Sequence, residues 1–321
     1  MAAMTEDILV RVEHLSRYYG ATRAVYGVNF EVRRGEVLGF LGPNGAGKST
    51  TMQIISGNLA PSAGQVWIDG HDILDQPKAA KAKLGYLPEQ PPVYREFTVD
   101  EYLNYCARIN RIPAPQCGQA VNAVKERCGL VDVGRRLIGN LSKGYQQRVG
   151  IAQAIIHSPP VVILDEPTVG LDPIQIREIR HLIRELGGDH SVILSTHILP
   201  EVQAVCDRVQ IINKGELVLS DTIAGLQMRM QASSLLAGLR HMPDVEELQA
   251  IPGVQAVEPL GDNRVRLHYT PDRNPAEVLV ARSVEHNWGL FELIPERLSL
   301  EQIFVDITCE EHHAPVTEAA V

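Results

Sequence analysis

Short runs of apolar and polar residues near the start of the chain predict β-strands. Residues 8–14, 24–32 and 65–69 have the composition of strands, and turn residues stand at Tyr19-Gly20 and Arg34-Gly35. The chain therefore begins with a strand-rich region.

Further along, apolar runs and helical patterns follow one another. The apolar run 36–41 predicts a strand, and residues 50–55 suit a helix. Residues 98–156 are mostly helical in character, with breaks at 112–115 and 139–140. This long stretch predicts a helical subdomain.

A second alternation of strand and helix begins at residue 161. The run 161–164 is apolar enough for a buried strand, and 191–195 predicts the next one. Between them, Pro173 opens a helix that Gly187-Gly188 ends. Apolar residues spaced three and four apart mark its buried face, namely Ile176, Ile179, Ile183 and Leu186. The predicted fold class is α/β, with a parallel sheet covered by helices on both faces.

Beyond about 221–233 the pattern changes and predicts a second, smaller domain. Its elements are a weak strand over 234–240, a helix over 244–250, strands over 254–259 and 264–269, a helix over 276–286, a strand over 289–294 and a helix over 298–308. The order β-α-β-β-α-β predicts a small α+β, ferredoxin-like domain. The predicted divisions are a domain over 1–225 with its helical subdomain at about 93–156, an accessory domain over 226–309, and a mobile tail over 310–321.

Composition and charge narrow the class of protein. With 321 residues, of which 45% are hydrophobic and 21% charged, the chain is long enough for one large globular domain or two ordinary ones. The formal net charge of −9 argues against nucleic acid as a partner. No signal peptide or membrane-spanning apolar run is evident, and the five cysteines form no CxxC pair. We therefore expect a cytoplasmic chain with reduced thiols.

Residues 42–50 read Gly-Pro-Asn-Gly-Ala-Gly-Lys-Ser-Thr and carry the strongest chemical signal. Their spacing is that of a P-loop, and they lie between a predicted strand and a predicted helix. Such a loop turns backbone N–H groups toward a triphosphate, while Lys48 reaches the β- and γ-phosphates and the Ser49 hydroxyl reaches Mg²⁺. A chance match is the alternative. The predicted ATP-binding residues here are Gly42, Pro43, Asn44, Gly45, Ala46, Gly47, Lys48, Ser49 and Thr50.

Two carboxylates end the apolar strand at 161–164. Asp165 is predicted to hold Mg²⁺, and Glu166 to act as the general base that activates a water. The alternative is a strand that happens to end in acidic residues, and the position downstream of a P-loop disfavours it.

The segment 141–148 reads Leu-Ser-Lys-Gly-Tyr-Gln-Gln-Arg. Its serine and glycine stand before a predicted helix over 145–157, and such a pair suits an N-cap. In order along the chain, the P-loop, this segment, Leu164-Asp-Glu166 and Ser195-Thr-His197 resemble the ATP-binding subunit of an ABC transporter. The resemblance covers about residues 8–220 and rests on several separate motifs. It implies a P-loop ABC-type nucleotide-binding domain.

The resemblance also assigns roles to further residues. Tyr19 matches the aromatic residue that stacks on adenine. Ser142 and Gly144 match the signature motif, which contacts the γ-phosphate held by a partner subunit. Asp172 belongs to the D-loop at the same interface, and His197 matches the switch histidine that contacts the γ-phosphate. The alternatives are an ordinary strand-end tyrosine at position 19 and a structural histidine at 197.

Two departures from the family pattern leave alternatives open. Lys143 and Tyr145 stand where the common signature has glycine and glutamine. After Pro88, either Glu89 or Gln90 holds the place of the Q-loop glutamine. Both are candidate nucleotide-binding residues, and Gln90 is a candidate Mg²⁺ ligand.

Two further segments point to a subgroup. Residues 86–92 resemble subunits that serve type-2 ABC exporters, and 299–304 resemble the accessory domain of that group. Over the whole chain, the nearest likeness is to gliding-motility-associated ATP-binding subunits.

The resemblance implies an ATPase that uses ATP and Mg²⁺ to power a transporter, expected to be an exporter, with Glu166, His197 and Lys48 as catalytic residues. One chain carries one P-loop and one signature, so two copies are expected to meet head to tail around two ATP molecules. Separate membrane permease subunits would dock at about 93–112, which would hold this chain on the cytoplasmic face of the membrane. The alternatives are a soluble ABC ATPase of translation or chromosome work and a regulatory ATP sensor with little turnover. The sequence does not reveal the cargo.

Overall fold

The structure is a computed structural model that describes residues 7–229, 234–270 and 273–296. It divides into two compact units, the first ending at Ile223 and the second beginning at Ala224.

Two sheets form the framework of the first unit. The strands are β1 (Ile8–Tyr19), β2 (Thr22–Arg33), β3 (Val37–Leu41), β4 (Ala63–Ile68), β5 (His71–Asp72), β6 (Leu84–Leu87), β7 (Val161–Asp165), β8 (Ser191–Thr196), β9 (Arg208–Asn213) and β10 (Glu216–Thr222). One sheet is antiparallel, in the order β2-β1-β4-β5. The other has the order β10-β9-β3-β8-β7-β6, and all of its strands except the edge strand β10 run parallel.

The register of the parallel sheet brings its chemically important strand ends together. Leu41 at the end of β3 pairs with Thr196 of β8, and Asp165 at the end of β7 pairs with Ser195. Every residue of β3, β7 and β8 is buried, as expected for central parallel strands covered on both faces. The loops that follow these strands therefore leave the sheet at one edge.

Helices connect and cover these strands. They are α1 (Lys48–Ile55), α2 (Pro77–Ala82), α3 (Val99–Ile109), α4 (Ala114–Arg127), α5 (Lys143–Ile155), α6 (Pro173–Leu186) and α7 (Leu199–Val205), with α8 (Ile223–Arg229) at the boundary between the units. A capping box starts α3, because the Thr98 hydroxyl accepts from the Glu101 N–H and the Glu101 carboxylate accepts from the Thr98 N–H. Within the described ranges, no helix combines the length and the apolar character needed to cross a bilayer.

The core of the first unit lies between the two sheets. Phe30 of β2 and Phe40 of β3 pack with ring centroids 5.6 Å apart, which ties the antiparallel sheet to the parallel one. Met52, Ile54 and Ile55 of α1 are fully buried in the same cluster. The helix that follows the P-loop is thus anchored in the core.

The second unit has the predicted order β-α-β-β-α-β. Its elements are β11 (Ser234–Leu239), α9 (Val245–Gln249), β12 (Val254–Gly261), β13 (Arg264–Tyr269), α10 (Ala276–Glu285) and β14 (Leu290–Glu296). The sheet order β12-β13-β11-β14 is antiparallel throughout and is that of a ferredoxin-like fold. Leu235, Leu267 and Leu279 are fully buried in its core. The predicted helix over 298–308 and the predicted tail over 310–321 lie outside the described residues.

The predicted α/β class with an added α+β unit is confirmed, while several elements escaped prediction. The short strand β6, the pair β9 and β10, and the helix α7 were not predicted. The first strand extends to Tyr19, beyond its predicted end at residue 14. The proposed domain limits at 225 and 309 stay predictions.

Candidate functional site

The P-loop connects β3 to α1 and depends on its glycines. Gly47 is the N-cap of α1 with φ 107°, and a Cβ on it would lie 2.5 Å from the Ala24 carbonyl oxygen. Only glycine fits both the conformation and the space. The loop therefore delivers the N-terminal end of α1, with its unpaired N–H groups and positive dipole end, to the edge of the sheet.

A pocket of about 350 Å³ opens at this edge and collects half of the predicted residues. Its lining consists of Ala24, Asn44, Gly45, Gly47, Lys48, Ser49, Thr50, Glu89, Glu166, Val169 and His197. We call it the phosphate pocket. Gly42, Pro43 and Ala46 of the predicted set contribute to the loop without lining the pocket.

Lys48 is buried against the loop that carries it. Its Nζ donates to the carbonyl oxygens of Gly42, at 2.9 Å, and of Pro43, at 3.2 Å. The same nitrogen lies 3.4 Å from Glu166 Oε1, and both side chains are at most 7% exposed. A buried cation and a buried carboxylate thus face each other across the phosphate pocket.

Glu166 is held in an unusual backbone conformation beside His197. Its φ is 49°, in the left-handed region, and its N–H donates to the Ser195 carbonyl at 2.8 Å. His197 Nδ1 donates to Glu166 Oε2 at 2.9 Å. Non-glycine residues in this conformation cluster at functional sites, where the surrounding structure enforces the strain.

Asp165 is buried immediately before Glu166. Burial raises the pKa of its carboxyl above the ordinary value, and the neighbouring Ser195 and Ser49 hydroxyls oppose that shift. Its Oδ1 has no hydrogen-bond partner within the described part of the chain. An orphaned carboxylate oxygen close to a hydroxyl is a donor set suited to a hard cation such as Mg²⁺.

The described residues hold no group of three or more His, Cys, Asp or Glu side chains arranged for a metal ion. In proteins, Mg²⁺ commonly takes one or two protein ligands and completes its shell with phosphate oxygens and water. The donor chemistry of Asp165 and Ser49 therefore matches the predicted ion.

The two Q-loop candidates separate in the structure. Glu89 lines the phosphate pocket, while Gln90 does not. Both line a neighbouring cavity of about 560 Å³, together with Lys143 and Gln147. Glu89 thus has the position that faces the P-loop and Glu166.

The signature segment, residues 142–145, begins α5 on the surface. Ser142 is exposed, and its hydroxyl accepts from the Tyr145 N–H at 3.4 Å as the N-cap. A Cβ on Gly144 would lie 2.6 Å from the Gln175 side chain, so the segment packs closely against α6. The Lys143 side chain lies over Gly170 of the same chain.

Other predicted residues also lie apart from the phosphate pocket. Asp172 caps α6, where its Oδ1 accepts from the Ile174 and Gln175 N–H groups. Tyr19 is exposed, with the Arg17 guanidinium 4.9 Å from its ring centroid. Ser142, Gly144, Asp172 and Tyr19 are all absent from the described lining of the pocket. The roles assigned to these residues stay predictions.

The sequence reasoning missed three residues behind the pocket. Thr168, Thr196 and Glu201 are buried and joined by hydrogen bonds between side chains. No spacing signal in the short segment Leu199–Val205 distinguishes Glu201 from an ordinary surface glutamate. The only signal in the sequence was the presence of Thr168 and Thr196 close to Glu166 and His197, because their hydroxyls need buried partners.

Comparisons with known proteins agree with this geometry. The family model described as ABC transporter matches residues 25–169. The bacitracin transport ATP-binding protein BcrA of Bacillus licheniformis is 38% identical over 65% of this chain and 68% of its own length. The daunorubicin resistance ATP-binding protein DrrA3 of Streptomyces coeruleorubidus is 29% identical over 98% of this chain and 99% of its own.

A solved structure has the same fold. The structure of cbiO1 from Clostridium perfringens, part of the ABC transporter complex cbiONQ, superimposes with a TM-score of 0.63. It is 31% identical and covers 69% of this chain and 91% of that one. These matches agree with the P-loop, the paired carboxylates and His197, which meet at one edge of the sheet, and they identify the family of the chain. It belongs to the family of ABC transporter ATP-binding proteins.

Proposed function

We propose that this chain is the motor subunit of an ABC exporter, in which two copies close head to tail around two ATP molecules. As an ABC transporter ATP-binding subunit, the chain binds and hydrolyses ATP. The observation that carries the finer proposal is the separation of the phosphate pocket from the signature segment within one chain.

The phosphate pocket supplies the groups that hold the nucleotide. Backbone N–H groups of residues 42–50 would surround the phosphates, and the N-terminus of α1 would add its positive dipole end. Lys48 Nζ would exchange its contacts with loop carbonyls for phosphate oxygens. Tyr19, exposed at the end of β1, would stack on adenine.

Asp165 and Ser49 would hold Mg²⁺, with Glu89 or Gln90 as the Q-loop contact. The buried, orphaned Asp165 Oδ1 supports this assignment. When bound, the ion would neutralise charge on the β- and γ-phosphates. The role of the protein is to hold the Asp165 carboxylate and the Ser49 hydroxyl in place at the edge of the sheet.

Glu166 and His197 would carry the hydrolytic step. The Glu166 carboxylate would accept a proton from a water aligned with the γ-phosphate. Its contact with His197 Nδ1 at 2.9 Å fixes its direction, and the histidine would contact the γ-phosphate with its other ring nitrogen. Lys48, 3.4 Å from the same carboxylate, would stabilise charge on the phosphate.

The second copy would complete the site. Ser142 and Gly144 would contact the γ-phosphate bound in the partner, at the positive N-terminal end of α5. Asp172 would lie at the same interface. Because each copy gives a P-loop and receives a signature, the arrangement is isologous and closes as a dimer.

Separate membrane subunits would receive the movement at the helical subdomain. Tyr94, Phe97, Tyr102 and Tyr105 form an aromatic cluster in which ring centroids lie 5.5–6.2 Å apart. Tyr94 and Tyr105 are exposed, as suits a surface that binds an apolar helix. Docking there would hold the chain on the cytoplasmic face of the membrane.

Export is the direction that the relatives support. BcrA is named for bacitracin transport and DrrA3 for daunorubicin resistance, both consistent with removal of a compound from the cell. The membrane partner would select the cargo. The likeness to gliding-motility-associated subunits remains a hypothesis about the subgroup. A regulatory sensor with little turnover is not favoured, because Glu166, His197 and Lys48 meet in one pocket.

The test measures ATP hydrolysis by the purified chain, alone and with membranes that contain the membrane protein encoded beside it. Turnover that depends on Glu166 and rises with the partner is the expected result. ATP binding without turnover in either preparation would contradict the motor function.

A further inference from the structure

Glu201 is a carboxylate in a place where carboxylates are rare. It stands in the first turn of α7, is 1% exposed and lies beside the buried Val202. Acidic side chains are almost never this buried unless they are paired, because removing the charge from water is costly. Its burial therefore calls for specific partners.

Two threonine hydroxyls and one guanidinium provide them. Thr168 Oγ1 donates to Glu201 Oε1 at 2.5 Å, and Thr196 Oγ1 donates to Glu201 Oε2 at 2.9 Å. Arg180 Nη2 of α6 lies 3.7 Å from Oε1 and balances the charge. Each carboxylate oxygen thus holds one hydroxyl.

The two threonines stand close to the reactive side chains in the chain, Thr168 in the turn after β7 and Thr196 at the end of β8. Thr168 lies two residues after Glu166, and Thr196 directly precedes His197. The Thr196 hydroxyl also accepts from the Ile198 N–H at 3.1 Å, which fixes the turn after β8. Through these contacts Glu201 joins the ends of β7 and β8 from behind.

We propose that Glu201 is a positioning residue that sets the distance and direction between Glu166 and His197 through Thr168 and Thr196. This inference rests on the proposed roles of Glu166 and His197. Glu166 has a strained φ of 49°, and such a conformation persists only where neighbouring contacts enforce it. We call Glu201, Thr168 and Thr196 together the clamp. Small errors in the placement of a reacting group lower the rate strongly, so the clamp would act on turnover more than on ATP binding.

A purely structural role is the competing explanation, and the threonines allow the two to be separated. Valine has nearly the shape of threonine without its hydroxyl, while serine keeps the hydroxyl without the methyl. The experiment compares Thr168→Val with Thr168→Ser, and Thr196→Val with Thr196→Ser, by kcat, by ATP affinity and by melting temperature. Glu201→Gln removes the charge and replaces one acceptor by a donor. Glu185→Gln, at the exposed end of α6, is the matched control.

For the valine variants we expect kcat to fall about 10-fold or more, with ATP affinity changed less than about 2-fold. The serine variants should recover most of the lost kcat. Glu201→Gln should reduce kcat as the valine variants do, while Glu185→Gln should not. Equal kcat in the valine and serine forms of a folded protein would overturn the proposal, as would a loss confined to melting temperature.

Glu166→Gln and His197→Ala in the same assay separate this inference from the function on which it depends. If both variants lose turnover while the valine variants keep it, the clamp is wrong and the proposed chemistry stands. If Glu166→Gln and His197→Ala keep near wild-type turnover, the proposed chemistry is wrong and the clamp falls with it.

Discussion

The phosphate pocket and the signature segment belong to one cassette but differ in how their polar groups are satisfied. In the pocket, Lys48 and Glu166 are at most 7% exposed and face each other. The buried Asp165, directly before Glu166 in the chain, keeps an orphaned oxygen. In the signature segment, Ser142 is exposed and only caps its own helix. The first region is built to enclose a charged ligand, and the second presents a helix N-terminus outward.

This difference fits the proposed head-to-tail dimer, in which each chain would supply one half of each of two ATP sites. The described lining of the phosphate pocket contains no signature residue. A helix N-terminus that faces outward attracts an anion held by another molecule. Changes in the pocket should therefore alter the chemistry and the nucleotide affinity, while changes in the signature segment should alter dimer closure.

The largest effect is expected from Glu166→Gln. It should lower turnover by about 10²–10⁴-fold, the usual contribution of a general base, because the amide cannot accept the proton. ATP binding should persist and ATP-dependent dimers should accumulate, as measured by phosphate release and size-exclusion chromatography. Near wild-type turnover would remove Glu166 from this role, and Glu185→Gln serves again as the control.

Ser142→Arg should act on the signature segment and therefore on dimer closure. A bulky cation at the start of α5 should block closure and reduce turnover on the order of 10²-fold, a loss typical of removing a contact to the transition state. ATP binding to the single chain should remain, as measured by titration calorimetry. Ser142→Thr keeps the capping hydroxyl and is the control. Normal ATP-dependent dimers of Ser142→Arg would refute the assignment to the partner's site.

Lys48→Ala should weaken ATP binding itself. Loss of a charge-assisted contact to the phosphates should lower affinity about 10–100-fold. Calorimetry with Lys48→Arg in parallel separates the loss of charge from the loss of shape. Unchanged affinity in Lys48→Ala would contradict the P-loop assignment.

The smallest effect is expected outside both halves, at the capping box of α3. Thr98→Ala removes the hydroxyl that accepts from the Glu101 N–H and should lower the free energy of unfolding by about 1 kcal/mol. Nucleotide affinity should stay the same, because Thr98 is not among the described lining of the phosphate pocket and does not belong to the signature segment. Denaturant titration beside Thr98→Ser tests this, and a change in ATP affinity would show that the regions are not independent.

The parts of this molecule that could be predicted from sequence are those set by local patterns. The P-loop, the acidic end of β7 and the ferredoxin-like order of elements could each be predicted from the types and spacing of residues that are close in the sequence. The short strand β6 and the pair β9 and β10 escaped because a few apolar residues become a strand only through distant partners, as when Leu84 pairs with Val161.

Burial and register explain the remaining gaps in the candidate site. Glu201 looks like a surface residue in the sequence, and only the packing of α7 against the ends of β7 and β8 gives it two hydroxyl partners. The spacing also leaves the choice between Glu89 and Gln90 open, and of the two only Glu89 lines the phosphate pocket.

Cross-linking between two copies is the most direct test of the proposed head-to-tail dimer. One preparation would carry Asn44→Cys in the P-loop and another Ser142→Cys, both with Glu166→Gln to hold the closed form. Of the five native cysteines, Cys106, Cys117, Cys128 and Cys206 are buried, and Cys309 lies outside the described residues. The chain with Glu166→Gln alone therefore controls for background. The account predicts that a short bis-maleimide joins two chains only when the preparations are mixed and ATP is present. Cross-links within either preparation alone, or none in the mixture, would contradict it.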